Sequence, residues 1–228
     1  MLNLQLAEKQ EARDGSEIEI VDCFPTIQGE GPFAGVPAVF LRLAGCNLQC
    51  PACDTDYTTS RRRVSVMSIE REVTRFSARK LVVITGGEPF RQQVGPTVAA
   101  LLSRGYKIQF ESNGTLYDNS MKELWDKVTV VCSPKTGSVN QRLQPHISYL
   151  KYILSADKVA PDGLPEDSLN FGTKPARPWD GFLGTVYVQP CDDKDPEKNA
   201  ANAQAAVDSC MRFGYTLCLQ MHKIVGLP

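Results

Sequence analysis

The stretch that decides the fold is Cys46-Asn47-Leu48-Gln49-Cys50-Pro51-Ala52-Cys53, in which three and then two residues separate three cysteines. Thiolates at such short spacing ligate zinc or an iron–sulfur cluster. A structural zinc site normally has four protein ligands, but the chain has only two histidines, His146 and His222, and no fourth cysteine nearby. Three thiolates on a [4Fe–4S] cluster leave one iron open, as at catalytic metals. The stretch predicts a catalytic iron–sulfur centre, with a zinc-stabilised, non-catalytic module as the alternative.

The bulk composition favours one globular domain over residues 1–228. The chain is 42% hydrophobic, enough for a sizeable core. Its 25 basic and 26 acidic side chains give a net charge of −1, which argues against direct binding to nucleic acid. No apolar run approaches the roughly 18 residues of a membrane span, and residues 1–22 lack the pattern of a signal peptide. We therefore expect a cytoplasmic protein with no membrane partner.

Short apolar runs that alternate with helical patterns predict parallel βα units, which is the α/β class. The predicted strands are 38–43, 80–85, 107–111, 129–132, 149–154, 185–188 and 216–220, and the predicted helices are 68–76, 96–104, 120–127 and 196–213. The last helix has the clearest limits, because Asp195 can cap it, Pro196 suits its first turn and Gly214 can end it. Residues 1–20 are interpreted as an N-terminal extension and residues 155–180, rich in Pro, Asp and Gly, as a loop-rich insertion.

Polar, glycine-rich or reactive clusters follow six of the predicted strands directly. These clusters are residues 45–47, 85–89, 111–114, 133–135, 189–190 and 220–223. In a parallel sheet or barrel such positions all lie on the carboxyl face, where active sites form. Turn chemistry alone accounts for two or three such clusters, so six of them predict a site on this face.

The C-x3-C-x2-C spacing resembles the signature of radical S-adenosylmethionine (SAM) enzymes, and Thr85-Gly86-Gly87-Glu88-Pro89 resembles their GGEP segment. The resemblance implies that the open iron binds SAM and that the reduced cluster cleaves it to a 5′-deoxyadenosyl radical. It also implies that the GGEP segment approaches the amino group of SAM, and two glycines allow such an approach. The family usually has an aromatic residue before the third cysteine, where this chain has Ala52. The backbone or another side chain must then hold the adenine.

Separated segments over about residues 21–228 resemble the 7-carboxy-7-deazaguanine synthase family. They are residues 24–31, 40–48, 53–55, 111–115, 133–135, 188–190 and 222–228. The resemblance implies a partial (β6/α3) TIM-like barrel of the radical SAM type, usually a homodimer, with Mg²⁺ as a second metal. It implies a lyase that contracts the ring of 6-carboxy-5,6,7,8-tetrahydropterin to 7-carboxy-7-deazaguanine with loss of ammonia. This reaction belongs to queuosine biosynthesis, and a flavodoxin-type or other reductant would supply the electron.

The resemblance also assigns site residues in this chain. It places the pterin substrate at Ile27, Gln28, Gly29, Arg42, Thr85 and Pro228. It places SAM at Ala52, Asp54, Gly87, Ser133, Pro134, Lys135, Gln189, Pro190, Cys191 and Asp192.

Two of these assignments can be compared with what the residues alone indicate. Arg42 lies inside an apolar strand and is suited to pair with the substrate carboxylate, with a surface ion pair as the alternative. For Mg²⁺, the preference for oxygen ligands favours Asp54 or Asp56, whereas the resemblance points to the Thr55 hydroxyl.

Other interpretations remain open at this stage. A different small radical SAM enzyme, such as a glycyl-radical activating enzyme, is the second candidate, and the 28–31 segment and the Pro228 ending discriminate against it. The run 61–63, which is three arginines, is interpreted as a solvated loop face. His222 receives no role.

Overall fold

The computed structural model describes residues 2–76, 78 and 80–227, and its central feature is one nine-stranded sheet. The strands are β1 (Glu17–Ile27), β2 (Pro37–Leu43), β3 (Arg62–Ser65), β4 (Leu81–Gly86), β5 (Lys107–Ser112), β6 (Thr129–Cys132), β7 (Ile147–Leu154), β8 (Thr185–Pro190) and β9 (Thr216–Leu217). Their order across the sheet is β3-β1-β2-β4-β5-β6-β7-β8-β9. From β2 to β9 all neighbours run parallel, whereas β1 is antiparallel to both β2 and β3.

Within the described residues, four α-helices accompany the sheet: α1 (Val66–Thr74), α2 (Gly95–Ser103), α3 (Pro196–Phe213) and α4 (Met221–Ile224). The predicted limits of α3 are confirmed. The Asp195 side chain accepts hydrogen bonds from the backbone N–H groups of Glu197 and Lys198. Gly214 ends the helix in the left-handed region, with a φ of 74°, which glycine adopts without steric cost. None of the helices in the described ranges is long and apolar enough to cross a membrane.

The central strands are buried on both faces, as expected for a parallel sheet covered by other elements. In β4, Leu81, Val82, Val83 and Ile84 are each at most 3% exposed. Val82 and Ile84 belong to the main core, while Leu81 and Val83 pack in a smaller cluster on the opposite face. The carboxyl ends of these rigid strands therefore provide fixed positions for site residues.

The predicted α/β class with parallel strands is confirmed, and the partial-barrel sheet is uncurled rather than closed. Two strands were not predicted: β3, and β1, which begins within the segment interpreted as an extension. The three arginines are exposed, as predicted, but they do not form a loop, because Arg62 and Arg63 lie in β3. All three arginines pair with glutamates, namely Arg61 with Glu8 and Glu19, Arg62 with Glu72 and Arg63 with Glu19.

Two further element predictions are wrong. Residues 120–127 form two short 3-10 turns, Asn119–Met121 and Trp125–Lys127, because Asp118 caps the first turn and the backbone bonds span three residues. The strand predicted at 216–220 is only Thr216–Leu217, since Gln220 already leads into α4. Residues 155–180 contain turns and one isolated bridge, between Val159 and Pro165.

Candidate active site

The three cysteines of the motif lie in the loop after β2 and line a common cavity of about 160 Å³. Cys46 and Cys50 are buried, and Cys53 is half-buried. Burial, reinforced by the Glu88 carboxylate, raises the pKa of Cys46 to about 12, and burial raises the pKa of Cys50 to about 11. These thiols therefore keep their protons at neutral pH in the metal-free chain. A metal centre must displace these protons when it binds.

The three thiols of the motif line one cavity, so they can act together as ligands. All eight cysteines of the chain are free. The residues present fit a [4Fe–4S] cluster held by Cys46, Cys50 and Cys53.

The Gly86-Gly87 pair allows β4 to end directly against the cysteine loop. A Cβ atom on Gly87 would lie 2.0 Å from the carbonyl oxygen of Gly45. A Cβ atom on Gly86 would lie 2.2 Å from the carbonyl oxygen of Leu43, and its φ of 130° is rarely adopted by other residues. Any larger side chain would therefore separate the two segments.

Glu88 connects the segment after β4 to the end of β5 by hydrogen bonds. Its carboxylate is fully buried and accepts hydrogen bonds from the Phe90 N–H at 3.1 Å, the Ser112 hydroxyl at 2.9 Å and the Asn113 N–H at 2.8 Å. Burial raises the pKa of Glu88 to about 7 even though these donors favour the ionised form. Glu88 thus holds the carboxyl ends of β4 and β5 together beside the thiols.

A second cavity of about 640 Å³ adjoins the thiol cavity. The two share Asp54, Thr55, Glu111, Lys151, Ile153 and Leu169 in their linings, so the cavities lie side by side. The volume of the larger cavity falls in the range of small-molecule sites. A ligand in the larger cavity would therefore lie next to the thiol cavity.

The structure brings most of the predicted site residues to these two cavities. The larger cavity is lined by Gln28, Arg42, Ala52, Asp54, Thr55, Thr85, Gln189, Pro190, Cys191 and Asp192, and the thiol cavity by Gly87, Ser133 and Lys135. Ile27, Gly29 and Pro134 lie outside the two linings, and Pro228 is not among the described residues. Gly29 instead packs under His222, because a Cβ atom there would lie 1.9 Å from the imidazole Nδ1.

Polar side chains at the carboxyl ends of three neighbouring strands line the larger cavity. Arg42 on β2 is in register with Thr85 on β4, and Glu111 on β5 comes next. The Glu111 carboxylate accepts hydrogen bonds from the Thr85 hydroxyl at 3.2 Å and from the Gln28 amide at 3.0 Å. Glu111 received no role in the sequence-based assignment, although it ends a predicted strand and begins the polar cluster 111–114.

A buried ion pair between Glu30 and Lys151 forms one wall of the cavity. Burial disfavours the charged form of Glu30, but the charge and hydrogen bond of Lys151, together with the Gln220 amide and His222, hold the pKa of the carboxyl below its usual value. Burial likewise opposes the charged Lys151, and Glu30 raises its pKa nevertheless. The Gln220 amide also donates to Glu30 at 2.8 Å. Sequence analysis missed this pair, although a lysine inside the apolar β7 is a signal of the same kind as Arg42 in β2.

A mostly parallel sheet with three cysteines and a Gly-Gly-Glu-Pro segment at its carboxyl edge defines the radical SAM class. In agreement, the family model described as the radical SAM superfamily matches residues 41–160. A 7-carboxy-7-deazaguanine synthase of Rhodospirillum rubrum is 42% identical to the chain, over 94% of each protein. The enzyme of that name from Rickettsia prowazekii is 37% identical, over 94% of this chain and 90% of that protein. The chain therefore belongs to the 7-carboxy-7-deazaguanine synthase family of radical SAM enzymes.

A solved structure supports the fold. The crystal structure of QueE from Escherichia coli superposes with a TM-score of 0.69, covering 93% of this chain and 100% of that chain. The sequence identity is 21%, so this likeness concerns the architecture.

Proposed function

We propose that this chain is a 7-carboxy-7-deazaguanine synthase. It converts 6-carboxy-5,6,7,8-tetrahydropterin to 7-carboxy-7-deazaguanine and ammonia, in the 7-deazapurine pathway that leads to queuosine. The observation that carries the proposal is that the thiol cavity lies next to the larger, polar cavity and shares six lining residues with it. When bound, the reduced [4Fe–4S] cluster and SAM supply a 5′-deoxyadenosyl radical that removes a hydrogen atom from the pterin.

Two segments are suited to hold the amino acid portion of SAM beside the thiols. Gly87 packs directly against Gly45 and Cys46 of the cysteine loop. It also lines the thiol cavity, and without a side chain its backbone is accessible to a ligand there. Burial lowers the pKa of Lys135 to about 8, and its ammonium donates to the Ser133 carbonyl at 2.8 Å. The Lys135 side chain, oriented in this way, can pair with the SAM carboxylate.

Leu169 is suited to take the place of the missing aromatic residue at the adenine. The Ala52 N–H donates to the Leu169 carbonyl at 3.1 Å, and Leu169 lines both cavities. Its φ of 55° is uncommon for a branched residue and costs on the order of 1–2 kcal/mol. We expect Leu169→Ala to raise KM for SAM several-fold with little change in KM for the pterin, as measured by steady-state kinetics.

The larger chamber offers matched partners to the two ends of the pterin. Arg42 can bind the substrate carboxylate with two parallel hydrogen bonds. The N–H edge of the pyrimidine ring requires an acceptor, and Glu111 presents a carboxylate that Thr85 and Gln28 already orient. Between them these groups would fix the ring that contracts.

Mg²⁺ completes the proposed cofactor set. Thr55 lies between Asp54 and Asp56 at the junction of the cavities. The Oδ1 atom of Asp56 accepts hydrogen bonds from the backbone N–H groups of Thr58 and Thr59, and the proposed oxygen ligands are the Thr55 hydroxyl and the Asp54 carboxylate. Substrate oxygens would fill further positions on the ion.

The assembly and setting belong to the proposal as well. A homodimer is supported by apolar side chains exposed around α3, β9 and α4, among them Met211, Ile224 and Val225. Sedimentation velocity tests it, and a monomer at micromolar concentration would refute it. Eight free thiols suit the reducing cytoplasm, where a flavodoxin-type or other reductant would supply the electron.

The proposed reaction is tested by anaerobic turnover of the reconstituted protein with SAM, a reductant, Mg²⁺ and 6-carboxytetrahydropterin. Mass spectrometry should detect 7-carboxy-7-deazaguanine from the wild type and none from Cys50→Ala. Cys210→Ala is the matched control, because Cys210 lies on α3 away from both cavities. Formation of 5′-deoxyadenosine without the deazapurine would overturn the assigned substrate.

A further inference from the structure

We propose that residues 3–11, here called the strap, position the cysteine loop 46–53. The sequence predicts this segment to be part of an extension, whereas in the structure Asn3, Gln5 and Glu8 form hydrogen bonds with the loop and with the segment after it. The inference rests on the proposed function only in that the loop is taken to hold the cluster.

Asn3 is the principal contact between the strap and the loop. It is 8% exposed although it is polar. Its backbone N–H donates to the Pro51 carbonyl at 2.8 Å, and its amide donates to the Cys50 carbonyl at 3.1 Å and to the Tyr57 hydroxyl at 3.2 Å. Asn3 thus holds the backbone of one ligand cysteine and of the residue that follows it.

The Cys46 end of the loop is held by the backbone of the strap. The Glu8 N–H donates to the Cys46 carbonyl at 2.7 Å. Together with Asn3, the strap therefore forms hydrogen bonds to the backbone carbonyls of two of the three ligand residues, Cys46 and Cys50. Because the thiols sit on the same residues, fixing these carbonyls limits how far the Sγ atoms of Cys46 and Cys50 can move apart.

Gln5 ties the strap to the segment that follows the third cysteine. Its amide donates to the Thr55 carbonyl at 2.9 Å, and its carbonyl oxygen accepts from the Tyr57 N–H at 2.7 Å. The second amide hydrogen of Gln5 points to the Asn3 side chain at 3.1 Å. Gln5 and Asn3 therefore act as one hydrogen-bonded unit.

A buried cation anchors the far end of the strap behind the loop. Arg91 is 2% exposed and pairs with Glu11 at 2.9 Å and with Glu8 at 3.2 Å. It also donates to the Ala44 carbonyl at 3.0 Å, just before the motif. Gly45 must lack a side chain here, since a Cβ atom would lie 2.5 Å from Arg91 Nε. The strap and the start of the loop thus share one support.

The role of the strap is tested with Asn3→Ala and Asn3→Asp in the reconstituted full chain. Asn3→Asp keeps the size of the side chain but removes the N–H donors. If Asn3 acted only through packing, the Asn3→Asp variant would behave like the wild type. Leu4→Ala is the control, because the Leu4 side chain is 77% exposed. The first readout is the rate of cluster loss to a chelator, followed by absorbance near 400 nm. The second is the fraction of reduced clusters whose EPR signal shifts on addition of SAM.

We expect both Asn3 variants to lose the cluster about tenfold faster than wild type and Leu4→Ala, the effect of one or two hydrogen bonds. We also expect a smaller SAM-responsive EPR fraction. If the Asn3 variants do not fold, Gln5→Ala replaces them in the test, because Gln5 is only half-buried. It should show the same two defects. Cluster loss and EPR response equal to wild type in folded variants would overturn the proposal.

The outcome is independent of the assigned reaction. Hydrogen exchange of amides in the loop can be compared between the metal-free proteins, where faster exchange is expected for the Asn3 variants. A wild type that holds its cluster but makes no deazapurine would refute the proposed substrate, while the comparison of cluster loss would still decide the role of the strap.

Discussion

Glu88 shows how one residue of the Gly-Gly-Glu-Pro segment serves the site without lining either cavity. Its buried carboxylate accepts two backbone N–H groups and one hydroxyl from segments at the ends of β4 and β5. Removing the acceptor would leave those donors buried and unpaired, which costs more than the bonds contributed. The residue therefore explains why this position of the motif is acidic.

Glu88→Ala is expected to lower the free energy of unfolding of the metal-free protein by roughly 3 kcal/mol, because several buried donors lose their partner. Urea unfolding followed by circular dichroism measures the change. Glu123→Ala, at an exposed position, should change it by less than about 0.5 kcal/mol. Equal effects of the two substitutions would contradict the supporting role of Glu88.

The sequence correctly placed some residues at the carboxyl edge of the sheet. The three thiols, Gly87 and Arg42 line the two cavities, as expected from their positions in or directly after recognisable strands. Lys151 and Glu30 were not found, because their contact joins positions 121 residues apart. Leu169 lies in a turn-rich segment without periodicity, so nothing in the local pattern indicated that it reaches the cavities.

At the level of elements, the Glu30–Lys151 pair connects β7 to the segment that follows β1. Breaking a buried pair leaves an uncompensated charge. We expect Lys151→Met to lower the free energy of unfolding by roughly 3 kcal/mol in urea titrations. The matched change Arg104→Met breaks an exposed pair with Glu70 and should change the free energy of unfolding far less, because solvent screens an exposed pair. A smaller loss for Lys151→Met than for Arg104→Met would show that the buried pair is not a support.

The short helix α4 places His222 against Gly29, and this contact predicts a dependence of stability on pH. Burial lowers the pKa of His222 below 6.5, and in the described part of the chain its buried Nδ1 has no hydrogen-bond partner. The pKa of His222 is lower in the folded than in the unfolded protein. The stability that neutral His222 contributes is therefore fully present above pH 6.5 and is lost as the pH falls through the pKa of the folded protein.

The comparison of wild type with His222→Gln isolates this effect. Between pH 7.5 and about pH 5 the free energy of unfolding should fall more steeply for the wild type. Denaturant titrations at several pH values provide the measurement. Parallel pH profiles would mean that protonation of His222 does not oppose folding.

Elements with strong local signals were predicted accurately, and elements defined by their partners were not. The limits of α3 follow from Asp195, Pro196 and Gly214. By contrast, β3 is charged, and it is a strand only because it pairs with β1 and its arginines meet glutamates from other segments. The predicted helix at 120–127 failed because Asp118 and the following turns offered the backbone nearer partners.

At the scale of the whole molecule, the open sheet brings distant segments to one carboxyl edge. Residues from the loop after β2 and from the ends of β4 to β8 line the two adjacent cavities. The prediction that polar clusters gather on this face required only the parallel order of the strands. The positions of the strap and of the 155–180 segment depend on tertiary contacts and could not be predicted from periodicity.

The central claim is that a radical generated at the three thiols acts on a pterin in the adjoining chamber. The most direct test uses 6-carboxytetrahydropterin that carries deuterium at C6, with mass spectrometry of SAM and 5′-deoxyadenosine after anaerobic turnover. We expect 7-carboxy-7-deazaguanine to form and deuterium to appear in the 5′ position of SAM or of released 5′-deoxyadenosine. Formation of the deazapurine with both molecules unlabelled would contradict the claim.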